Sequence, residues 1–222
     1  MAASPGYSGR SEFASVIRWM DAETAAIVAK LLADGSPHRF GSSFLEMLRD
    51  AYVAAHLAGQ SVNGADSQTM ARARAQQAVV LGRIVTNPVS GNATIVHSQG
   101  FFLEGFVRDL AARDKRYFDE DGALRVDQVT RRATQYQAGV RSAQAYGVMD
   151  SASHAARWKW ELGGAEEHCD DCPFLATLEP VPASEWFALP GEGLTQCVVG
   201  CKCHMVDVES GQTTAGYGET SL

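Results

Sequence analysis

All five cysteines of this 222-residue chain fall between Cys169 and Cys203, and the residues before them contain none. The stretch reads EEHCDDCPFLATLEP, then a loop, then TQCVVGCKCH. Such confinement limits the final quarter to a redox pair, a disulfide framework or a metal-held unit. Five is an odd number, and MAASPGYSGRSEFAS at the N-terminus lacks the apolar segment of a secretory signal. A reducing compartment is therefore expected, which disfavours disulfides. A C-x-x-C pair alone would suit thioredoxin-like chemistry. Three further thiols and the lack of a βαβ pattern argue against it.

The spacing favours a metal. Cys169 and Cys172 form one close pair, and Cys197, Cys201 and Cys203 form a second cluster about two dozen residues later. Two tight turns, each supplying two thiolates, build a tetrahedral zinc site. Zinc keeps such thiols ionised by lowering their pKa. The expected ligands are Cys169, Cys172, Cys197 and Cys201, with Cys203 as the alternate fourth. Cys201 and Cys203 are two apart, so in extended backbone both face one side. Gly200 could supply a positive φ for the turn before Cys201. His168 and His204 adjoin ligands and are expected to point elsewhere, as supporting or solvent-facing groups. At least one of the five thiols would be a small buried apolar group.

There is an energetic reason for a metal here. Residues 163–208 are short of regularly spaced apolar side chains and rich in loop formers. A structural zinc contributes on the order of ~10 kcal/mol, enough to order such a segment.

The preceding residues can bury a core unaided, since 45% of the chain is hydrophobic. Residues 1–10 read as a flexible arm. A helix starts near Ser11 and carries Phe13, Val16, Ile17, Met20, Ile27, Val28 and Leu31 on one face, with Gly35 and Pro37 ending it. A second helix carries Phe44, Leu45, Leu48, Tyr52 and Ala55 as far as Gly59. A third covers SQTMARARAQQAVVLGRIV, before the break at Asn87-Pro88. A fourth runs from Ser98 to Tyr117 with Phe102, Phe106 and Leu110 in line, followed by a turn at Asp121-Gly122. Val126, Val129, Ala133, Tyr136, Val140 and Ala143 then recur at steps of three and four along one bundle helix. After Gly147, RWKWEL alternates in period two and predicts a half-buried strand with Trp158 and Trp160 on one face. MVDVES is a candidate closing strand.

The expected fold is thus mainly α: a helical body over 11–150, a zinc-stapled α+β or irregular subdomain over 154–208, and a polar tail over 209–222. A net charge of −7 argues against a general nucleic-acid surface. No run of 18 apolar residues suggests a membrane span. Trp158, Trp160 and Trp186 are expected in a small core beside the metal, not as a base-stacking platform. Arg72, Arg74 and Arg83 read as a solvated helix face, as do Arg131, Arg132 and Arg141. Glu166, Glu167, Asp170 and Asp171 have no accompanying nucleophile, so no catalytic residue is expected. A zinc hydrolase would need an open coordination position and a general base, and AEEHC is not H-E-x-x-H.

The order of these parts is familiar. A helix ending in YQAGVRSAQAYGV precedes the strand WKWEL, then HCDDCPFL, then PGEGLTQCVVGCKC. Over residues 126–208 this resembles the phage Mu F-like head morphogenesis family, the minor capsid or minor head proteins. There a C-x-x-C pair is followed by a closing His-Pro-Asn-Cys-Arg-Cys. Cys201-Lys202-Cys203 matches the final three residues, and Cys197 stands near the place of the family's His. The resemblance implies a structural virion component of a tailed phage. It would associate with the portal or major capsid protein, act in head assembly or genome delivery, and lie near packaged DNA without sequence-specific binding. It implies localisation to the virion head or portal region, and to the host cytoplasm during assembly, with no membrane. The other reading is a cytosolic zinc-finger-like adaptor or nucleic-acid-binding protein.

Overall fold

The computed structural model describes residues 10–60, 99–153, 155–164, 167–186, 188–191 and 201–214. Among the described residues, five helices form the body: α1 (Arg10–Asp34), α2 (Pro37–Gln60), α3 (Gln99–Ala111), α4 (Val126–Thr134) and α5 (Gln137–Asp150). The C-terminal part holds β1 (Trp158–Glu161), the short α6 (Asp171–Ala176), a 3-10 turn at Ala183–Glu185 and β2 (His204–Asp207). The chain is therefore mainly helical, with a small sheet-containing region at its end. The helix expected over SQTMARARAQQAVVLGRIV, with Arg72, Arg74 and Arg83, lies outside the described residues.

Helix α1 buries Phe13, Val16, Met20, Ile27, Val28 and Leu31, the face its periodicity marks out. Gly35 ends it in the left-handed region, φ 62°, where its N–H reaches the Leu31 carbonyl at 2.9 Å. Pro37 does more than stop α1. It opens α2 at the first helical position, where its missing N–H costs nothing. Ser36 caps the new helix by accepting the Arg39 N–H, at 3.4 Å.

An aromatic ladder joins the body. Phe40 stacks on Phe44 with centroids 5.5 Å apart and meets Phe106 of α3 edge-on at 5.4 Å. Phe44 meets Tyr136 edge-on at 5.3 Å, and Phe106 lies 5.0 Å from Tyr117. Such pairs add about 0.5–1.5 kcal/mol each beyond their buried area.

Two sequence expectations change here. Helix α3 ends at Ala111, well short of Tyr117. Arg113 takes φ 53°, and Asp114 accepts the Arg116 N–H and guanidinium, both at 2.9 Å, so the carboxylate rewards a turn over another helical turn. Asp121-Gly122 then makes the expected turn, with Gly122 at φ 79° and Phe118 bridged to Leu124. The long seam helix is two helices. At Tyr136 and Ala138 the bonds tighten to the third residue back, and the Thr134 hydroxyl takes the Arg131 carbonyl at 2.9 Å. The seam survives the break: Val129, Ala133, Tyr136, Val140 and Ala143 are buried, and Val126 is exposed.

Helices α2 and α5 cross through glycine. A methyl at Gly147 would overlap the His56 carbonyl oxygen, and one at Gly59 would lie 2.8 Å from the Val148 nitrogen. The backbones touch, so the last two turns of α2, from Ala54 to Gln60, are buried all round. Beyond the crossing, Val148 and Met149 leave the body's core and enter a second one with Trp158, Trp160, Leu175, Trp186, Leu189 and Met205.

Candidate metal centre

The second core is built on a short antiparallel strand pair whose members lie far apart in sequence. Trp158 pairs with Asp207, Trp160 with Met205 and Glu161 with His204. Period-two alternation sends Trp158, Trp160 and Met205 inward, each fully buried. The Trp186 indole donates to the Trp158 carbonyl at 3.0 Å, and its ring lies 6.2 Å from that of Trp160. The indoles are thus core, with no face left for a stacked base. Trp158 also exchanges backbone bonds with Val181, at 2.8 and 3.1 Å.

Residues 209–214, read from sequence as the start of a polar tail, fold back along β2. Gly211 turns at φ 71°, the Asp207 N–H reaches the Gln212 carbonyl at 2.8 Å, and the Thr214 N–H reaches that of Met205 at 2.9 Å. Burial pushes the Asp207 carboxyl up, but the Ser210 hydroxyl and the N–H groups of Glu209, Arg157 and Ser210 outweigh it, leaving its pKa below the ordinary value.

The thiols meet against this core. Cys169 and Cys172 form one tight turn, in which the Cys172 N–H reaches the Cys169 carbonyl at 3.2 Å, and α6 follows. Cys201 and Cys203 lie on the run into β2. Gly163 lets the segment after β1 pass against them, since a methyl there would overlap the Lys202 carbonyl oxygen. The Cys169 and Cys172 sulfurs are 3.4 Å apart, and those of Cys172 and Cys201 are 3.7 Å apart. Cys172, Cys201 and Cys203 place their sulfurs within 4.8 Å of one another. Cys172 and Cys203 are buried, and Cys169 and Cys201 half-buried.

These separations fit a shared ion. Metal–sulfur bonds of about 2.3 Å in a tetrahedron set sulfur–sulfur edges of about 3.8 Å. A disulfide would need about 2.05 Å, and none of the four described cysteines is joined in one. The cluster can hold a soft metal ion. Cys201 and Cys203 both belong to it, because the extended run into β2 turns their side chains the same way while Lys202 faces solvent. Cys197, expected as the third ligand, lies outside the described residues.

The two flanking histidines differ. His204 turns away, with Nε2 3.5 Å from a Glu161 carboxylate oxygen across the strand pair. His168 faces the cluster, its Nδ1 3.8 Å from the Cys203 sulfur. The sequence gives no signal for this second contact, since it depends on how two distant segments meet. Glu167 and Asp170 are exposed, and Asp171 half-exposed. Arg132 sits over the Phe102 and Tyr136 rings, at 6.0 and 5.5 Å, which removes it from an open basic patch. Among the described residues no helix is long and apolar enough to cross a membrane. Comparison with family models, curated proteins and solved structures gives no match.

Proposed function

We propose that this chain is a structural minor head protein of a tailed phage, acting at the portal or capsid interior, with zinc as a structural ion in its C-terminal region. The observation that carries the reading is the meeting of the C-x-x-C and C-x-C pairs on a tryptophan-lined antiparallel strand pair, after a bundle helix. That is the order of parts in the minor head family it resembles. Soft thiolates suit zinc, copper(I) or iron–sulfur chemistry. Zinc is the choice for a closed, redox-inert structural role. With a fourth donor completing the triad of Cys172, Cys201 and Cys203, the site would have no open position for a substrate or an activated water, which favours a structural role over catalysis.

The test has two parts. Metal analysis of the purified chain is expected to give one zinc and neither iron nor copper. Co-expression with the portal and major capsid proteins encoded in the same genome is expected to recover the chain bound to one of them. Failure to associate with either, combined with salt-sensitive retention of DNA, would favour the nucleic-acid adaptor instead.

A further inference from the structure

Among the described residues, two further donors adjoin the sulfur triad. The triad of Cys172, Cys201 and Cys203 sulfurs is mutually close. Cys169 adjoins it at Cys172, 3.4 Å away, and His168 Nδ1 adjoins it at Cys203, 3.8 Å away. A tetrahedral ion with one nitrogen ligand has sulfur–nitrogen edges of about 3.6 Å, from bonds of about 2.3 and 2.05 Å. The imidazole and the Cys169 thiol thus each stand within reach of one sulfur of the triad, outside the mutually close group itself. Both donors come from adjacent residues of one turn.

We propose that His168 and Cys169 share the fourth coordination position, so that the imidazole completes the site when the Cys169 sulfur leaves it. This rests on the reading of the cluster as a metal site. The exchange involves no change of oxidation state. The metal–sulfur bond to Cys169 breaks with its electron pair on sulfur, and the lone pair of His168 Nδ1 forms the new bond. Charge favours the swap. Four thiolates around a divalent ion leave a net charge of −2, beside exposed Glu167 and Asp170 and with Lys202 as the nearby cation in sequence. A neutral imidazole in place of one thiolate lowers that to −1, with the released Cys169 thiolate taking up a proton from solvent. A half-buried Cys169 is also more accessible to oxidants than the buried Cys172 and Cys203. The exchange would keep the ion after such a loss.

The experiment uses the full-length chain as wild type, Cys169→Ser, His168→Ala and the double variant. Zinc is measured per chain, and cobalt(II) replaces it for absorption spectroscopy. The helical circular dichroism of the body serves as the folding control. Both single variants are expected to keep one metal per chain. The cobalt spectrum of Cys169→Ser should lose intensity in its sulfur-to-metal charge-transfer bands, and that of His168→Ala should not. The double variant should lose the metal. Loss from either single variant makes that residue obligatory and overturns the exchange. A double variant that retains a full equivalent overturns it as well, since another donor then completes the site. A wild type that binds neither zinc nor cobalt would sink the metal reading itself, a separate outcome.

Discussion

Phe44 of α2 and Trp160 of β1 are both fully shielded from water, but by different means. Around Phe44 lie helices whose apolar faces repeat every three to four residues, and an aromatic ladder ties α2 and α3 to the α4–α5 junction. Around Trp160 lie two strands of four residues each, a helix of six and loops. The first assembly orders itself by burying area. The second has few regular backbone bonds over which to spread its conformational entropy, and it gathers its thiols where the deficit is greatest. With an ion in the thiol cluster, as we propose, the contrast teaches that the same degree of burial can rest on solvent exclusion in one part of a chain and on a point attachment in another.

The largest effect should come from removing that attachment. Chelation, or Cys172→Ser, forfeits a contribution on the order of ~10 kcal/mol. Limited proteolysis is expected to cut within residues 158–214 while 13–60 and 99–150 stay protected. Equal resistance in both regions would erase the distinction. Next comes Phe44→Ala, expected to cost about 3–5 kcal/mol by denaturant unfolding. The metal content of the folded fraction should not change, since Phe44 belongs to the body's core alone.

Gly147→Ala sharpens the comparison from the seam between the regions. A better helix former gains about 1 kcal/mol, but the methyl meets backbone that cannot move aside, and overpacking costs up to about 3 kcal/mol. The net is a loss of about 2 kcal/mol, and thermal melts should show both cores weakened together. The smallest effect belongs to Asp207→Asn, about 1 kcal/mol from weakened hydrogen bonds to a carboxylate. The folded pKa of Asp207 lies below its ordinary value. Its stabilisation is therefore full above about pH 4, the unfolded value, and is lost as pH falls through the folded one. The melting difference between wild type and this variant should be present at pH 6 and close below pH 4.

The sequence showed the helical body well because amphipathic periodicity is a local signal. The buried face of α1 matches its pattern, and the α4–α5 seam holds across a break the pattern did not reveal. That break depends on the Thr134 hydroxyl donating to a backbone carbonyl, and the early end of α3 on the Asp114 carboxylate accepting from the Arg116 N–H and guanidinium. Such competition between side chain and backbone leaves apolar spacing unchanged. In the C-terminal region, residue type and spacing marked the thiols and the tryptophans. They could not show that His168 turns in while His204 turns out, nor that Gly59 and Gly147 face each other, because those facts arise only when distant segments dock.

Helix α5 serves both cores: Val140 and Ala143 lie in the first, Val148 and Met149 in the second. One residue inserted between Ala143 and Val148 would rotate everything downstream by about 100°. It would swing Val148 and Met149 off the tryptophans and carry Gly147 away from His56. The length of this linker is consequently fixed to the single residue, so related chains should tolerate insertions and deletions in their surface loops and none along these few positions.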